Sequence, residues 1–343
     1  MANTMRREYI ILWTEWDLYR QSFADIMSVD NVQYIDKPLM ELRGLWRKLF
    51  QFTHSTHHAW FLRALSKMLK LLFREEFWFR FYLRKNNFKE KNTVFIISRS
   101  WLLDDNKKYF DYLKNYYSKS RFVLFLCDLF AIYVDGERKR LIKLEDIRSS
   151  FDLILSFDFG DCEEYGFTYH PLVFSAYHGE IQDRPYSDLF FLGQPKNRFQ
   201  ELLSCFEKFW AYGLKTDIVL VGVPPEERVY EEKICYSDVV VPYEENLQRT
   251  IHCKCELEIM QEGGTGYTQR MCEVIALGKM IVTNNPLIHE APFYNPDYIF
   301  QINNAEDITE EMCNKIKNTT SVDYHYKDKI SPVELLQFID ERL

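Results

Sequence analysis

Residues 260–285 read M-QEGGTGYTQR-MCEVIALGKM-IVTNN, and the fold turns on how this stretch is read. Gly263, Gly264 and Gly266 make a short loop. A helix follows, with Thr268, Arg270 and Glu273 on its first turns and Val274, Ile275 and Leu277 on its buried side. Gly278 stops the helix, and Met280 to Thr283 reads as a buried strand. A glycine loop opening a helix presents backbone N–H groups and the positive end of the helix dipole, which suits an anion. A carboxylate two turns inside can point at the same ligand. The stretch therefore describes a pocket for a phosphorylated sugar or nucleotide. The same residues also suit a plain βαβ turn whose glycines only permit tight packing, with Glu273 in solvent.

Working outward, the flanking sequence alternates short apolar runs with helical periods. Tyr9–Trp13, Val32–Ile35, Thr93–Ile97, Phe122–Cys127 and Asp152–Phe157 read as strands of a first series. Polar residues collect just after them: Glu15, Arg99, Asp128, Asp158 and Asp161. In an open α/β sheet that edge binds ligands. Residues 176–187 are polar, contain Gly179 and Pro185, and read as a linker. A second series follows: Leu189–Leu192, Asp217–Val221, Val239–Val241, Glu256–Met260 and Met280–Thr283. The expected fold is α/β, with two Rossmann-like domains facing across a cleft. The first domain covers residues 1–180, the second 187–325, and a tail helix 326–343.

Composition agrees with a globular chain: 343 residues, 47% hydrophobic, 27% charged, net charge −8. That balance argues against general nucleic-acid binding. No apolar run reaches the roughly 18 to 20 residues of a membrane span. Tyr9–Trp13 is too short for a signal peptide and is closed by Glu15 and Asp17, so a cytoplasmic location is expected. The eight cysteines form no C-x-x-C pair. His252, Cys253 and Cys255 lack a second ligand pair, so the site set includes no metal, and buried strand cysteines are the default.

Residues 39–91 stand apart. Between Glu41 and Lys91 there are 12 Lys or Arg against 4 Glu, an excess of +8, so the rest of the chain carries −16. Aromatic residues, among them Trp46, Trp60, Phe73, Phe77, Trp78, Phe79 and Tyr82, are interleaved with this charge. Such a stretch suits peripheral contact with an anionic membrane, here the inner face of the plasma membrane. It equally suits helices packed on a sheet with a solvated basic face.

Several of these features together carry a family resemblance. They are the two Rossmann-like halves, the Gly193-Gln194-Pro195-Lys196-Asn197-Arg198 loop after the first strand of the second half, and the glycine loop leading to Glu273. The chain resembles GT-B glycosyltransferases. More narrowly, it resembles the bacterial lipopolysaccharide and capsular polysaccharide transferases, through Tyr243-Glu244, Leu257 to Gln261, Gly266-Tyr267-Thr268-x-Arg270-x-x-Glu273 and Ile281 to Asn285. Ser156-Phe157-Asp158, Tyr165 and Tyr169-His170-Pro171 fit the same group. The family's pair of glutamates seven residues apart is absent: Glu273 matches the second, and Thr265 and Gly266 stand near the first.

The resemblance implies transfer of a sugar from a nucleotide sugar to a glycan or lipid-linked acceptor, without a cofactor and usually without a metal. Gly193, Lys196 and Arg198 would face the diphosphate from one side, and Gly264, Thr265, Gly266, Thr268 and Arg270 from the other. Glu273 would accept from the ribose hydroxyls and Tyr243 would hold the base. Asp128, Asp158 and Asp161 are candidates for the general base of an inverting transfer, and each is equally suited to capping a helix. A nucleotide-sugar epimerase of the same shape and a non-catalytic nucleotide- or glycan-binding subunit are the alternatives.

Overall fold

The computed structural model describes residues 7–36, 42, 44–54, 60–73, 77–78, 92–101, 104–130, 143–261 and 263–343. Strand β1 (Glu8–Leu12) is an unbroken apolar run because it is buried on both faces. Tyr9 and Ile11 enter one core while Ile10 and Leu12 enter another, the two-residue period of a strand. It lies between β2 (Val32–Ile35) and β3 (Thr93–Ser98). Next come β4 (Arg121–Leu126), β5 (Leu153–Ser156) and β6 (Thr168–Tyr169). The order is β2-β1-β3-β4-β5-β6, with each pair parallel.

The second sheet holds β7 (Ser187–Gly193), β8 (Thr216–Val221), β9 (Ile234–Ser237), β10 (Cys253–Glu258), β11 (Met280–Thr283) and β12 (Ile299–Gln301). Its order, β12-β11-β10-β7-β8-β9, is again parallel throughout. In chain order within this half, that is 6-5-4-1-2-3, the doubly wound arrangement with a switch point between β7 and β10. The strand expected at Val239–Val241 is not there. The strand is β9, five residues earlier, and Val239 and Val240 stand 71% and 81% exposed. The Ser237 hydroxyl donates to the Val239 carbonyl at 2.7 Å, turning the chain out of the sheet.

The helices are α1 (Asp17–Ser22), α2 (Ala24–Met27), α3 (Gly44–His54), α4 (Trp60–Leu72), α5 (Asp104–Tyr116), α6 (Leu144–Ser150) and α7 (Phe159–Tyr165). In the second half they are α8 (Phe199–Ala211), α9 (Tyr243–Ile251), α10 (Gln269–Leu277), α11 (Glu310–Asn318) and α12 (Pro332–Asp340). Helix α10 is capped by the Thr268 hydroxyl, which accepts from the Met271 N–H at 3.4 Å. It ends at Gly278, whose φ is +65°, and a Cβ there would lie 2.6 Å from the Val322 carbonyl oxygen. Glycine is needed at that position on both counts.

In the basic segment, α3 brings Phe50 against Trp78. Trp78 is fully buried against Phe50 and Phe77, with ring centroids 5.1 and 5.2 Å away. Leu65, Met68, Leu71 and Leu72 on α4 are exposed, beside Lys67 and Lys70. Phe79, Tyr82 and the rest of residues 79–91 lie outside the described residues. Among the described residues, no helix is long and apolar enough to cross a membrane. Cys253 and Cys255 are buried in β10, and His252 Nδ1 lies 2.7 Å from the Gln248 carbonyl.

The chain's last helix crosses back to the first sheet's domain. Asp340 pairs with Arg7 at 2.8 Å, and the Phe174 N–H donates to the Ile330 carbonyl at 2.7 Å. Phe338 packs edge-on against His170, centroids 4.8 Å apart. His170 is 1% exposed, and burial pulls its pKa from 6.5 down to about 4. The unfolded chain therefore binds a proton that the folded chain refuses between those values. This contribution to stability is whole above pH 6.5 and is lost as pH falls toward 4, by roughly 3 kcal/mol in all. Denaturant unfolding of the native chain and His170→Phe across this range should show the native chain losing that much more on acidification. Parallel curves would contradict the assignment.

Candidate active site

The carboxyl ends of both sheets meet at a cavity of about 960 Å³. The segments entering it follow β1 (Glu15–Tyr19), β4 (Cys127–Leu129), β7 (Arg198) and β10 (Ile259, Met260, Gln261 and Gly264). β7 and β10 are the two strands at the switch point of the second sheet, where the connections diverge and leave a crevice.

On the second domain's wall, β10 places Glu256 and Glu258 two residues apart, so both face helix α10. Arg270 donates through Nε to Glu256 at 3.0 Å and through Nη2 to the Leu192 carbonyl at 2.8 Å. Its guanidinium also lies 5.1 Å from the Phe191 ring centroid. Glu258 accepts from the hydroxyls of Thr268 and, at 2.6 Å, of Thr283. Glu273 accepts from the Tyr243 hydroxyl at 2.5 Å and from Asn246 Nδ2 at 3.2 Å. It is only 4% exposed, so it forms the floor of the cavity and does not stand in an open, wet cleft.

Glu258 and Glu273 are buried at the cavity wall, and Glu256 is buried behind Arg270. Burial, reinforced by the charge of Glu273, pushes Glu256 up to about 8. Burial also raises Glu273, against the opposing hydrogen bonds and Arg270. Arg198 supplies the second cation of this wall. It donates to the carbonyls of Ile259 and, at 3.1 Å, Gln194. Burial, with Arg270 nearby, pulls its pKa below the usual guanidinium value.

The glycine loop serves a different partner from the one expected of it. Asp158, 1% exposed, sits at the end of β5 and caps α7 through Oδ1, which accepts from the Asp161 N–H at 3.1 Å. Its Oδ2 crosses to the second domain and accepts from the N–H of Thr265 at 2.7 Å, the N–H of Gly266 at 2.8 Å and the Thr265 hydroxyl at 3.1 Å. The Gly160 N–H returns a bond to that hydroxyl at 3.0 Å. The Gly264 N–H is spent on the Gln261 carbonyl at 3.2 Å. The N–H groups of Gly264, Thr265 and Gly266 are thus spent within the protein, and Arg198, Arg270 and the first turn of α10 give the cavity its positive side.

Of the residues selected from sequence, the cavity brings together Asp128, Arg198, Tyr243, Gly264, Thr268, Arg270 and Glu273. Gly193, Lys196, Thr265, Gly266, Asp158 and Asp161 lie off its walls. Lys196 is exposed, with φ +49°. Asp161 is 3% exposed and accepts from the Phe130 N–H at 2.7 Å. Asp128 is 54% exposed and pairs with Arg99 at 2.8 Å. Sequence reasoning passed over Trp16, Asp17, Tyr19, Asn246 and Glu258 as cavity residues. Position after a strand marks the first three, and the alternation Glu256-Leu257-Glu258 marks the last.

No family model matches the chain, and no curated protein does either. Solved structures do. A trehalose-6-phosphate synthase, OtsA, aligns with a TM-score of 0.55 and 9% identity, over 98% of each chain. An alpha-glucosyltransferase solved with UDP and a 13-mer DNA containing a HMU base aligns at 0.52 and 12% identity, over 98% of this chain and 99% of that one. An alpha,alpha-trehalose-phosphate synthase (UDP-forming) from Burkholderia xenovorans, in complex with glucose-6-phosphate, aligns at 0.50 and 9% identity, over 98% and 100%. At such identities the likeness is one of fold. The chain has the two-domain GT-B architecture, with a cleft between two parallel sheets.

Proposed function

We propose that this chain is a glycosyltransferase that moves a sugar from a nucleotide-sugar donor to a glycan or lipid-linked acceptor. The carrying observation is the cavity itself: Arg198, Arg270, Tyr243 and Glu273 line its second-domain wall at the β7/β10 switch point, and Asp128 faces them from the first domain. A nucleoside diphosphate leaves with growing negative charge, which Arg198 and Arg270 are placed to stabilise. Glu273 keeps lone pairs beyond its bonds to Tyr243 and Asn246 and can accept from ribose hydroxyls. An inverting transfer needs a general base, and Asp128 is the candidate at the cavity. Asp158 and Asp161 act in this reading as structural carboxylates. UDP and glucose-6-phosphate are ligands of the neighbouring structures.

The narrower reading places this transferase in cell-surface polysaccharide synthesis, from the resemblance to lipopolysaccharide and capsule enzymes. It works in the cytoplasm, against the inner face of an anionic membrane, docking through α4. Leu65, Met68 and Leu72 recur at helical spacing on its exposed surface, beside Lys67 and Lys70. Each basic residue near such a surface contributes about 1 kcal/mol. Sedimentation with phosphatidylserine vesicles at low salt should retain the native chain and release a variant with Arg47, Lys48, Lys67 and Lys70 reversed to Glu. Equal recovery of both would refute the docking face.

The donor reading is tested by a thermal-shift screen of nucleotides and nucleotide sugars. A ligand at 100 times its dissociation constant adds about 2.7 kcal/mol of stability. The expected pattern is a shift with one nucleoside diphosphate, abolished in Arg198→Ala. A flat response to every nucleotide would refute the reading.

A further inference from the structure

Behind Arg270 lies a carboxyl group that does not itself line the cavity. The Glu256 side chain is 1% exposed, while that of Arg270 is 22% exposed and lines the cavity wall. Arg270 is tied on two sides, through Nε to Glu256 Oε2 at 3.0 Å and through Nη2 to the Leu192 carbonyl at 2.8 Å. Among the described residues its Nη1 has no hydrogen-bond partner, so part of the planar fork is left for an anion in the cavity. Glu256 is less well served. Its Oε1 is buried and faces the Thr250 hydroxyl without a hydrogen bond of good geometry. The charges around it are those of Arg270 and Glu273 on α10 and of Lys279 just before β11. Lys279 turns its ammonium to the carbonyls of Ile251 and Cys253, at 2.5 and 2.8 Å. The phenols of Tyr243 and Tyr324 and the thiols of Cys253 and Cys255 also surround Glu256, and burial keeps all four neutral.

We infer that Glu256 is the positioning residue of the donor's diphosphate site: as a neutral acid it aims Arg270 at the cavity and leaves the guanidinium charge to the diphosphate, and on ionising it takes that charge back. The inference rests on the transferase reading above. A buried carboxylate stays ionised where it is fully hydrogen-bonded and paired. Here Glu256 and Glu273 both draw on the one guanidinium, so the two carboxyls keep a proton between them. Glu273 has donors in Tyr243 and Asn246, whereas Glu256 has the guanidinium alone, so the proton sits on Glu256. The rise of its pKa to about 8, from burial and from the charge of Glu273, agrees with that placement. The carbonyl oxygen of a neutral Glu256 still accepts from Nε, so the fork is aimed without being neutralised. An ionised Glu256 cancels much of the field that a diphosphate would feel. Diphosphate affinity is therefore whole below about pH 8 and falls above it, and by linkage binding draws a proton into the protein.

The test is calorimetric titration of the full chain, from about pH 7 to about pH 9, with nucleoside diphosphates, the matching nucleosides and inorganic sulfate. Phosphates lose their last proton near about pH 6, so the ligands hold their charge across this range. Diphosphate and sulfate should bind roughly five- to tenfold more weakly at the upper end. Comparing buffers of different ionisation heat should show a fraction of a proton taken up on binding. The nucleoside should show neither effect. Glu256→Gln keeps an acceptor for Nε without the charge, so its profile should be flat at the affinity the native chain has at the lower pH. Glu256→Leu removes the acceptor too and should weaken diphosphate binding at every pH while sparing the nucleoside; where that variant does not fold, the Gln profile decides. A native chain with no profile, a Gln variant that keeps it, a Leu variant with native affinity, or a chain that binds no anion at all would each overturn the inference. Sulfate bound with the expected profile by a chain that takes no nucleoside diphosphate would keep Glu256 as the positioning group of an anion site and sink the transferase reading instead.

Discussion

Replacing Gly266 with alanine is expected to lower stability by about 3 kcal/mol or more. The added Cβ would lie 2.1 Å from the Phe157 carbonyl oxygen and 2.9 Å from Asp158 Cα. Both are backbone atoms, so no side chain can swing aside to make room. The two domains would have to part at this point, and parting also lengthens the bonds from Thr265 and Gly266 to Asp158 Oδ2. Asp158→Ala should show a loss of the same order by the second route alone, because two N–H groups would lose a charged acceptor. Asp158→Asn should fall between. Its amide oxygen can serve Thr265 and Gly266, but its NH₂ then meets the Asp161 N–H, a donor facing a donor. Denaturant unfolding of the three variants orders them. A Gly266→Ala chain as stable as the native one would mean that the loops do not touch.

Glu273→Ala is expected to lose nucleotide binding and stability together. Tyr243 and Asn246 would each lose an acceptor beneath the cavity floor. Leaving such groups unpaired costs on the order of 1–3 kcal/mol each. Sequence alone allowed a carboxylate aimed at a ligand or one standing in solvent; the burial of Glu273 excludes the second. Glu273→Gln separates the roles. Its amide can still accept from Tyr243, so the fold should largely recover, while donor affinity stays down by roughly 10- to 150-fold. Thermal unfolding with and without nucleotide reads both quantities. A Gln variant with lowered stability and native affinity would make Glu273 a structural residue only.

How much of this was legible follows from which forces are local. β1, β3 and β4 hold the apolar runs Tyr9–Leu12, Val94–Ile97 and Phe122–Leu126 because a central parallel strand is buried on both faces, and that alone marks them. β9, at the edge of its sheet, reads Ile-Cys-Tyr-Ser and carries little apolar signal. The three valines after it carry much, and they line or border the cavity instead. The place of Arg270 and Glu273 at the cavity was legible because the helix that carries them is marked by Thr268 at one end and Gly278 at the other. The role of Asp158 was not. Its partner Thr265 is 107 residues away, and nothing in a carboxylate after a strand says whether it faces a ligand or a second domain. The choice between the two readings of the glycine loop was hidden for the same reason. Gly266 is demanded by the close approach of the Phe157 carbonyl, and Gly263 by its φ of +83°. Asp17 was taken only as closing a short apolar run and Trp16 was not singled out, although the edge after a parallel strand is where ligands bind.

The central claim is sugar transfer across the cavity, and product analysis tests it most directly. The purified chain would be incubated with a panel of nucleotide sugars, each with and without glycan acceptors. Nucleoside diphosphate release and glycan mass are followed together. The account predicts one donor from which diphosphate is released in the presence of acceptor, with the acceptor gaining one sugar and Asp128→Asn and Arg198→Ala both failing to support it. An epimerised donor formed without acceptor, or nucleotide bound tightly with no product from any pair, would contradict it.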